Sequence, residues 1–192
     1  MQLTSQQARD ILQNSKILYT QEQINKAITG LAEQIEHEID SHTDLPIFLN
    51  VMNGGTFFTA NLLQKIKSPF LLDYIHASRY GDAVYGSTHI TWYRQPNIDI
   101  IRNRIVYILD DILDEGHTLA EIKRFLLNIG ALDCKIAVLI DKNIDKNKPI
   151  QADYIGLRAP NHFLFGCGMD IYGLYRQLPS IHIHISDDNK HE

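Results

Sequence analysis

Apolar residues recur at helical spacing near the start of the chain. Thr20 and Gln23 have the spacing of a capping box, which marks the beginning of a helix. The apolar positions that follow are spaced as on one face of a helix: Ile24, Ile28, Leu31, Ile35 and Ile39. We therefore predict an amphipathic helix over residues 21–40.

Four apolar runs of strand length come next, and helical patterns lie between them. The runs cover residues 47–52, 70–75, 105–109 and 135–140. One predicted helix follows the turn Asn53-Gly54-Gly55 and extends to residue 66, and another ends at Ile129, before Gly130. Such strand–helix–strand units favour a parallel sheet covered on both faces, so the predicted fold class is α/β. Further strands are expected near residues 154–157 and 163–165.

Two segments fall outside this pattern. Residues 76–97 are polar and contain glycine, and a connection of this length in a compact domain is often a lid. A plain β-hairpin is the alternative for that segment. The segment of residues 171–185 is short and rich in aromatic residues, and we expect it to form a small lobe over the sheet. The chain contains neither repeats nor a linker, so residues 1–192 are treated as a single domain.

Charge and composition narrow the classes of protein. The chain has 192 residues with 44% hydrophobic content and a formal net charge of −5, which argues against a broad nucleic-acid surface. Cys134 and Cys167 lie in apolar stretches without disulfide spacing, which is typical of a reduced, cytoplasmic protein. The first residues lack the pattern of a signal peptide, and no apolar run has the length of a membrane span.

The candidate chemistry lies in residues 105–119, IVYILDDILDEGHTL. Asp110 and Asp111 fall at the carboxyl end of a predicted strand, where open parallel sheets bind ligands. Gly116 permits a turn, and the helix that opens at His117-Thr118 offers free N–H groups to a phosphate. Carboxylates next to a phosphate site suit a ribose diol or magnesium. An acidic surface turn would explain an isolated pair of aspartates, but the whole segment favours a sugar-phosphate site.

This segment resembles the phosphoribosyl pyrophosphate signature of the type I phosphoribosyltransferases. In that family an apolar strand precedes two acidic residues, two aliphatic residues, Asp, a small residue, Gly, a variable residue and Thr. The resemblance implies a central, mostly parallel sheet flanked by helices, with a flexible lid loop. It also implies a small hood, formed by the N-terminal helix and the C-terminal segment.

Later residues resemble the purine-binding end of hypoxanthine-guanine phosphoribosyltransferases: Phe163-Leu164-Phe165-Gly166, Met169-Asp170 and Arg176. The resemblance implies a pentosyl transferase of purine salvage, which makes IMP or GMP from hypoxanthine or guanine and phosphoribosyl pyrophosphate. It also implies small-molecule partners, no nucleic acid or membrane partner, and a homodimer or homotetramer. The alternatives are a phosphoribosyltransferase for xanthine or a pyrimidine, and a non-catalytic, nucleotide-sensing regulator of the same fold.

The resemblance assigns a role to each residue of the signature. Asp110 and Asp111 would hold the ribose hydroxyls, directly or through Mg²⁺. The 5′-phosphate would be bound by the loop that follows: Asp114, Glu115, Gly116, His117 and Thr118. Asp114 would also be the general base near purine N7, a role that suits a carboxylate.

The resemblance also places residues around the purine and the pyrophosphate. Lys142 would donate to the purine 6-oxo group, which favours hypoxanthine and guanine over adenine, and Phe163 would stack on the base. Leu164 would offer backbone groups to it. Asp170 would bind the magnesium that carries pyrophosphate, and Arg176 would contact pyrophosphate. From the residues alone, Lys142 could be a solvated loop lysine and Phe163 a core residue.

Three departures from the family pattern fall in segments that are expected to bind pyrophosphate or the 5′-phosphate. Asn53 stands where Lys or Arg is usual, and we predict that Asn53 and Gly54 form the pyrophosphate turn with a cis Asn53–Gly54 peptide. Arg79-Tyr80 replaces Ser-Tyr in the lid, so Arg79 is expected to restore the missing positive charge. Glu115 and His117 replace Thr and Lys, and Glu115 should point away from the anion. Outside the site, His182 and His184 are predicted to be surface residues on one strand face.

Overall fold

A six-stranded sheet forms the centre of the molecule. The computed structural model describes residues 3–41, 44–80 and 89–185. The strands of the sheet are β2 (Ile47–Met52), β3 (Leu71–Tyr80), β4 (His89–Arg94), β5 (Ile105–Leu113), β6 (Asp133–Lys142) and β7 (Tyr154–Ala159). Their order is β4-β3-β2-β5-β6-β7, and every pair is parallel except β3 with β4. The predicted α/β class with a mostly parallel sheet is confirmed.

Helices cover both faces of this sheet. The main helices are α2 (Gln21–Ile39), α3 (Gly55–Leu63) and α5 (His117–Asn128), with a short α4 (Ile98–Ile101) before β5. The predicted capping box begins α2, since the Thr20 side chain accepts from Gln23 N and the Gln23 side chain accepts from Thr20 N. The apolar faces of α2 and α3 pack on one side of the sheet, and the apolar face of α5 packs on the other. Burial of these apolar helix faces against the two sides of the sheet is the main favourable contribution to folding.

A second, three-stranded sheet forms the predicted hood. It joins β1 (Ser15–Tyr19), β9 (Ile181–His184) and β8 (Leu164–Phe165), in that order and antiparallel. The helix α1 (Ser5–Gln13) precedes β1, and the Tyr175 hydroxyl donates to the Ala8 carbonyl at 2.5 Å. The hood therefore draws on both ends of the described chain.

His182 lies inside this hood, so its prediction as a surface residue is wrong. Its ring stacks on Phe165 and lies between the hydroxyls of Ser15 and Ser180, at 2.9 and 2.8 Å from its two nitrogens. Burial lowers the pKa of His182. His184 is half-buried, and its Nδ1 atom is buried without a hydrogen-bond partner. The alternating pattern did not reveal that another strand and Phe165 cover this face.

The segment expected as a lid contains a β-hairpin at its base. β3 continues to Tyr80, beyond the predicted end at residue 75, and pairs with β4. Trp92 packs on Phe125 of α5, and Arg94 forms an ion pair with buried Asp73 at 2.8 Å. These tertiary contacts explain why a weakly alternating sequence forms a strand. Residues 81–88 and the side chains of Arg79 and Tyr80, where the lid prediction falls, lie outside the described residues.

Within the described ranges, no helix is long and apolar enough to cross a membrane.

Candidate active site

A cavity of about 470 Å³ opens at the carboxyl ends of β2, β5 and β6. Thirteen residues predicted from the sequence to belong to the site line this cavity: Gly54, Asp110, Asp111, Asp114, Glu115, Gly116, His117, Thr118, Lys142, Phe163, Leu164, Asp170 and Arg176. Asn53 is not among the lining residues. The sheet thus brings together the acidic segment, the turn after β2 and the segment before the hood strand β9.

The loop between β5 and α5 has the geometry of an anion site. Gly116 is the N-cap of α5 with φ 83°, a left-handed conformation that glycine adopts without cost. A methyl group at Gly116 would lie 3.1 Å from the Leu113 side chain and 3.2 Å from that of Ile150. No side chain caps the helix, and its first residues line the cavity, so the first N–H groups of α5 are available to a ligand.

Asp110 and Asp111 lie side by side in a poorly solvated position. Asp111 is buried, and its backbone N–H donates to an Asp110 carboxylate oxygen at 3.0 Å. Burial, and then the negative charge of Asp111, raise the pKa of Asp110 well above its usual value. Burial also raises the pKa of Asp111, although a hydrogen bond with Asp110 and the positive charge of Arg176 oppose part of that rise. Such a pair favours a cation or hydrogen-bond donors as its partner.

The turn after β2 presses its backbone against this acidic pair. A methyl group at Gly54 would lie 2.2 Å from an Asp111 carboxylate oxygen. Gly168 approaches from the other side, where a methyl group would lie 2.1 Å from the Gly54 carbonyl oxygen. Only glycine fits both positions, so Gly54, Asp111 and Gly168 fix one another.

The cis peptide of this turn was predicted one residue too late. The structure has a cis bond between Met52 and Asn53, and the Asn53–Gly54 bond is not cis. The Asn53 carbonyl accepts from Thr56 N at 3.3 Å, so the hydrogen-bonded turn begins after the cis bond. The cis bond thus lies at the end of β2, just before the hydrogen-bonded turn, whereas the prediction placed it between Asn53 and Gly54.

Lys142 and Asp114 form an ion pair across the cavity. The Lys142 Nζ atom donates to an Asp114 carboxylate oxygen at 3.0 Å. Lys142 is the last residue of β6, and only 12% of its side chain is exposed, so the alternative of a solvated loop lysine is wrong. Phe163 is 55% exposed at the cavity, so it is not a core residue either. Its ring is free to receive a planar ligand.

Asp170 and Arg176 form a second ion pair at the edge of the cavity. Their side chains meet at 2.5 Å, and Arg176 also donates to the Gly168 carbonyl oxygen at 2.7 Å. The Asp170 carboxylate accepts from Gly173 N at 2.7 Å. Gly166 and Gly168 have positive φ, and a methyl group at either would lie 2.1 Å from a backbone carbonyl oxygen, so glycine is needed for the close path of this segment.

Residues 14–171 match the model of the phosphoribosyl transferase domain. The chain belongs to that family. A hypoxanthine-guanine phosphoribosyltransferase of Bacillus subtilis is 28% identical over 166 residues, which cover 86% of this chain and 91% of that protein. A crystal structure of a hypoxanthine phosphoribosyltransferase from Staphylococcus aureus superposes with a TM-score of 0.83 at 26% identity, and covers 96% of this chain and 97% of that one.

A longer relative shows that this domain also occurs inside larger proteins. The bifunctional protein TilS/HprT of Listeria innocua is 30% identical over 168 residues, which are 88% of this chain. They are 26% of the length of that relative, so the chain spans about a quarter of it.

The cavity also contains residues to which the sequence analysis assigned no role. Six further residues line the cavity: Val51, Met52, Ala77, Ile112, Leu119 and Met169. Beneath the turn, Asn50 and Thr56 both donate to the Met52 sulfur at 3.1 Å, and Thr59 donates to Asn50 at 3.0 Å. The one available signal was Asn50, a polar residue within an otherwise apolar strand.

Proposed function

We propose that this protein is a purine salvage enzyme, which transfers a phosphoribosyl group from phosphoribosyl pyrophosphate to hypoxanthine and guanine. The products are IMP or GMP and pyrophosphate. The observation that carries this proposal is the Lys142–Asp114 pair at 3.0 Å beside the phosphate loop, in one cavity. A carboxylate and an ammonium at that distance match the proton and the 6-oxo group of one purine edge. The names of the relatives support the same activity.

The phosphoribosyl group binds along the end of β5 in this proposal. The N–H groups at the start of α5 and the Thr118 hydroxyl bind the 5′-phosphate, while Glu115 and His117 flank the loop. Asp110 and Asp111 accept hydrogen bonds from the ribose hydroxyls. This arrangement holds the anomeric carbon above the carboxyl ends of the strands, where the purine must approach it.

The purine lies between Phe163 and the carboxyl end of β6. The Phe163 ring stacks on the base, and Leu164 offers its backbone groups to the base edge. The Lys142 ammonium has only donors, so it suits the oxygen of hypoxanthine or guanine at C6. Adenine presents an amino group there and would leave two donors facing each other, which is a strong basis for discrimination.

Asp114 receives the proton that the purine gives up. A ring nitrogen forms its bond to the anomeric carbon while the bond from that carbon to the pyrophosphate oxygen breaks. The purine must lose a proton as the new bond forms, and a carboxylate beside N7 accepts or shares it. The ion pair with Lys142 keeps this carboxylate on the purine side of the loop.

The carboxylates of the site fit magnesium. No cluster of three or more His, Cys, Asp or Glu side chains that could hold a metal occurs within the described ranges. Magnesium is commonly bound by one or two carboxylates together with substrate phosphates, and Asp110, Asp111 and Asp170 offer such oxygens at the cavity. When bound, the metal stabilises negative charge on the departing pyrophosphate.

The pyrophosphate lies near Arg176 and the Gly54 turn in this proposal. Arg176 supplies positive charge at the cavity edge, and Gly54 lines the same cavity, where its backbone can contact the ligand. The roles of Asn53, Arg79 and Tyr80 toward pyrophosphate stay predictions. A cytoplasmic location and assembly into a homodimer or homotetramer belong to the same proposal.

The test is an assay of the purified protein with phosphoribosyl pyrophosphate, Mg²⁺ and a panel of bases. We expect turnover with hypoxanthine and guanine, none with adenine, and loss of turnover when EDTA removes the metal. Turnover only with xanthine, uracil or orotate would replace the substrate assignment. Binding of phosphoribosyl pyrophosphate without turnover of any base would instead support a nucleotide-sensing regulator.

A further inference from the structure

A partly buried lysine lies behind the Lys142–Asp114 pair, outside the cavity. Lys148 belongs to the loop between β6 and β7, and 13% of its side chain is exposed. Its ammonium donates to three acceptors: the Leu113 carbonyl at 2.8 Å, the Lys142 carbonyl at 2.6 Å and an Asp141 carboxylate oxygen at 2.7 Å. An ammonium has three N–H groups, so every donor of Lys148 is used.

Two of these acceptors are backbone carbonyl oxygens next to the side chains of the active-site pair. The Leu113 carbonyl belongs to the peptide bond that leads into Asp114, and the other carbonyl is that of Lys142. Leu113 is paired in register with Asp141 at the end of the β5–β6 ladder. Lys148 therefore continues the connection between the two strands beyond their last backbone pair, where Asp114 and Lys142 begin to face the cavity.

The third acceptor explains how a charge is tolerated at this position. Asp141 compensates Lys148 and also pairs with Arg158 at 3.0 Å. Hydrogen bonds between charged groups are about twice as strong as neutral ones. If Lys148 were removed, Arg158 would still neutralise Asp141, so a substitution at position 148 need not prevent folding. Pro149 and Ile150 also pack near Gly116, which gives the loop an apolar anchor.

We infer that Lys148 is a positioning residue, which sets the distance between the Asp114 carboxylate and the Lys142 ammonium and so determines purine recognition. This inference rests on the proposed function. Without the ammonium, the two strand ends lose their common donor and separate. A displacement of about 1 Å at a reacting group can lower the rate about a hundredfold. The phosphate loop depends on Gly116 and α5, so it should be affected much less.

Lys148→Met tests the inference, with Lys135→Met as its control. Lys135 lies at the opposite end of β6 and pairs with Asp133 at 3.3 Å, far from the cavity. For Lys148→Met we expect kcat/KM for hypoxanthine to fall about tenfold to a hundredfold. The dissociation constant of phosphoribosyl pyrophosphate, measured by calorimetry, should change by less than about threefold. A structural defect of the whole site would weaken this binding as well. Lys135→Met should retain its purine kinetics.

Chemical restoration of the ammonium at position 148 gives a second, independent test. Lys148→Cys can be alkylated in the folded protein with 2-bromoethylamine, which rebuilds a lysine-like side chain. Burial raises the pKa of Cys134 to about 12 and that of Cys167 to about 11, so these thiols should stay unmodified. We expect the amine reagent to restore hypoxanthine turnover and neutral iodoacetamide not to restore it.

The outcomes separate this inference from the proposed function. If the unaltered protein turns over no base, the proposed function is wrong and this inference is wrong with it. If the unaltered protein is active but Lys148→Met has the same purine kinetics, only the inference is overturned. Equal losses of purine turnover and phosphoribosyl pyrophosphate binding, or equal recovery with both alkylating reagents, would also overturn it.

Discussion

The Lys142 ammonium lies 3.0 Å from an Asp114 carboxylate oxygen, although 28 residues separate the two in the chain. Lys142 ends β6, and Asp114 follows β5 directly, so the parallel pairing of these strands brings the two side chains together. A purine that uses both groups must therefore lie with one edge against the pair, its 6-oxo group toward Lys142 and its N7 toward Asp114. Each residue is therefore expected to affect a different property of the reaction.

Asp114→Asn should lower kcat far more than it weakens substrate binding. The amide cannot accept the purine proton, and a positioned general base contributes about a hundredfold to ten-thousandfold in rate. Steady-state kinetics with hypoxanthine and calorimetry with phosphoribosyl pyrophosphate measure the two effects separately. Asp145→Asn, at an exposed position in the neighbouring loop, is the control and should behave like the unaltered protein. Equal losses in kcat and binding would count against the base role of Asp114.

Lys142→Met should weaken purine selectivity. The methionine cannot donate to the 6-oxo group, so we expect kcat/KM for hypoxanthine to fall about a hundredfold or more. The Asp114 carboxylate remains, so its proton-accepting role should persist in part. The ratio of kcat/KM for hypoxanthine and adenine is the decisive measurement, and an unchanged ratio would refute the proposed contact with the oxygen.

Gly54→Ala should damage the site by steric contact alone. Gly54 has φ −59°, so alanine is acceptable to the backbone, but its methyl group would lie 2.2 Å from an Asp111 carboxylate oxygen. Crowding of this kind costs about 1–3 kcal/mol in the free energy of unfolding. We also expect weaker binding of phosphoribosyl pyrophosphate, measured by calorimetry, because the turn must move.

Gly30→Ala is the matched control for that substitution. Gly30 lies within α2, and a methyl group there would contact nothing within 4 Å. Replacing a helical glycine with alanine should therefore stabilise the protein by about 0.5–1 kcal/mol. Urea denaturation of both variants should give changes of opposite sign. Two changes of the same sign would contradict the steric argument for Gly54.

Glu36 should make the stability of the protein depend on pH in the acid range. Its carboxylate accepts from the backbone of Lys67 at 2.9 Å, and from Ser68 N and Oγ at 2.9 and 2.6 Å. Burial raises the pKa of Glu36, but these hydrogen bonds, led by the Ser68 hydroxyl, outweigh that effect and lower it below 4.5. The folded state thus holds the proton less tightly than the unfolded state.

The stabilisation by Glu36 is therefore complete above about pH 4.5, the pKa of the unfolded state, and disappears as the pH falls through the lower pKa of the folded state. Glu36→Gln should destabilise the protein on the order of 1 kcal/mol at pH 7 and less at pH 3. Urea denaturation across this range measures the difference, with Glu33→Gln, an exposed position on the same helix, as control. A difference that grows toward low pH would contradict the assignment.

Features that depend on consecutive residues were predictable from the sequence. The capping box of Thr20, the strand Ile47–Met52, the acidic pair after β5 and the glycine that opens α5 all depend on neighbours in the chain. Their hydrogen bonds and dihedral preferences are local, so the pattern of residue types contains them. The α/β class followed from that local information, whereas the phosphoribosyltransferase fold and most of the cavity residues were predicted from the family resemblance.

Contacts between distant segments were decided only by the tertiary structure. The sequence did not reveal that Gly54 and Gly168 enclose Asp111, that Lys148 joins two strand ends, or that His182 lies under Phe165. Such contacts depend on strand order, register and the packing of side chains from separate elements, and residue types along one segment do not specify these. The sequence by itself determined the glycine that begins α5 and the acidic pair, because both depend on neighbouring residues. The pairing of Lys142 with Asp114 arose from the fold, because parallel strands place distant residues at one edge of the sheet.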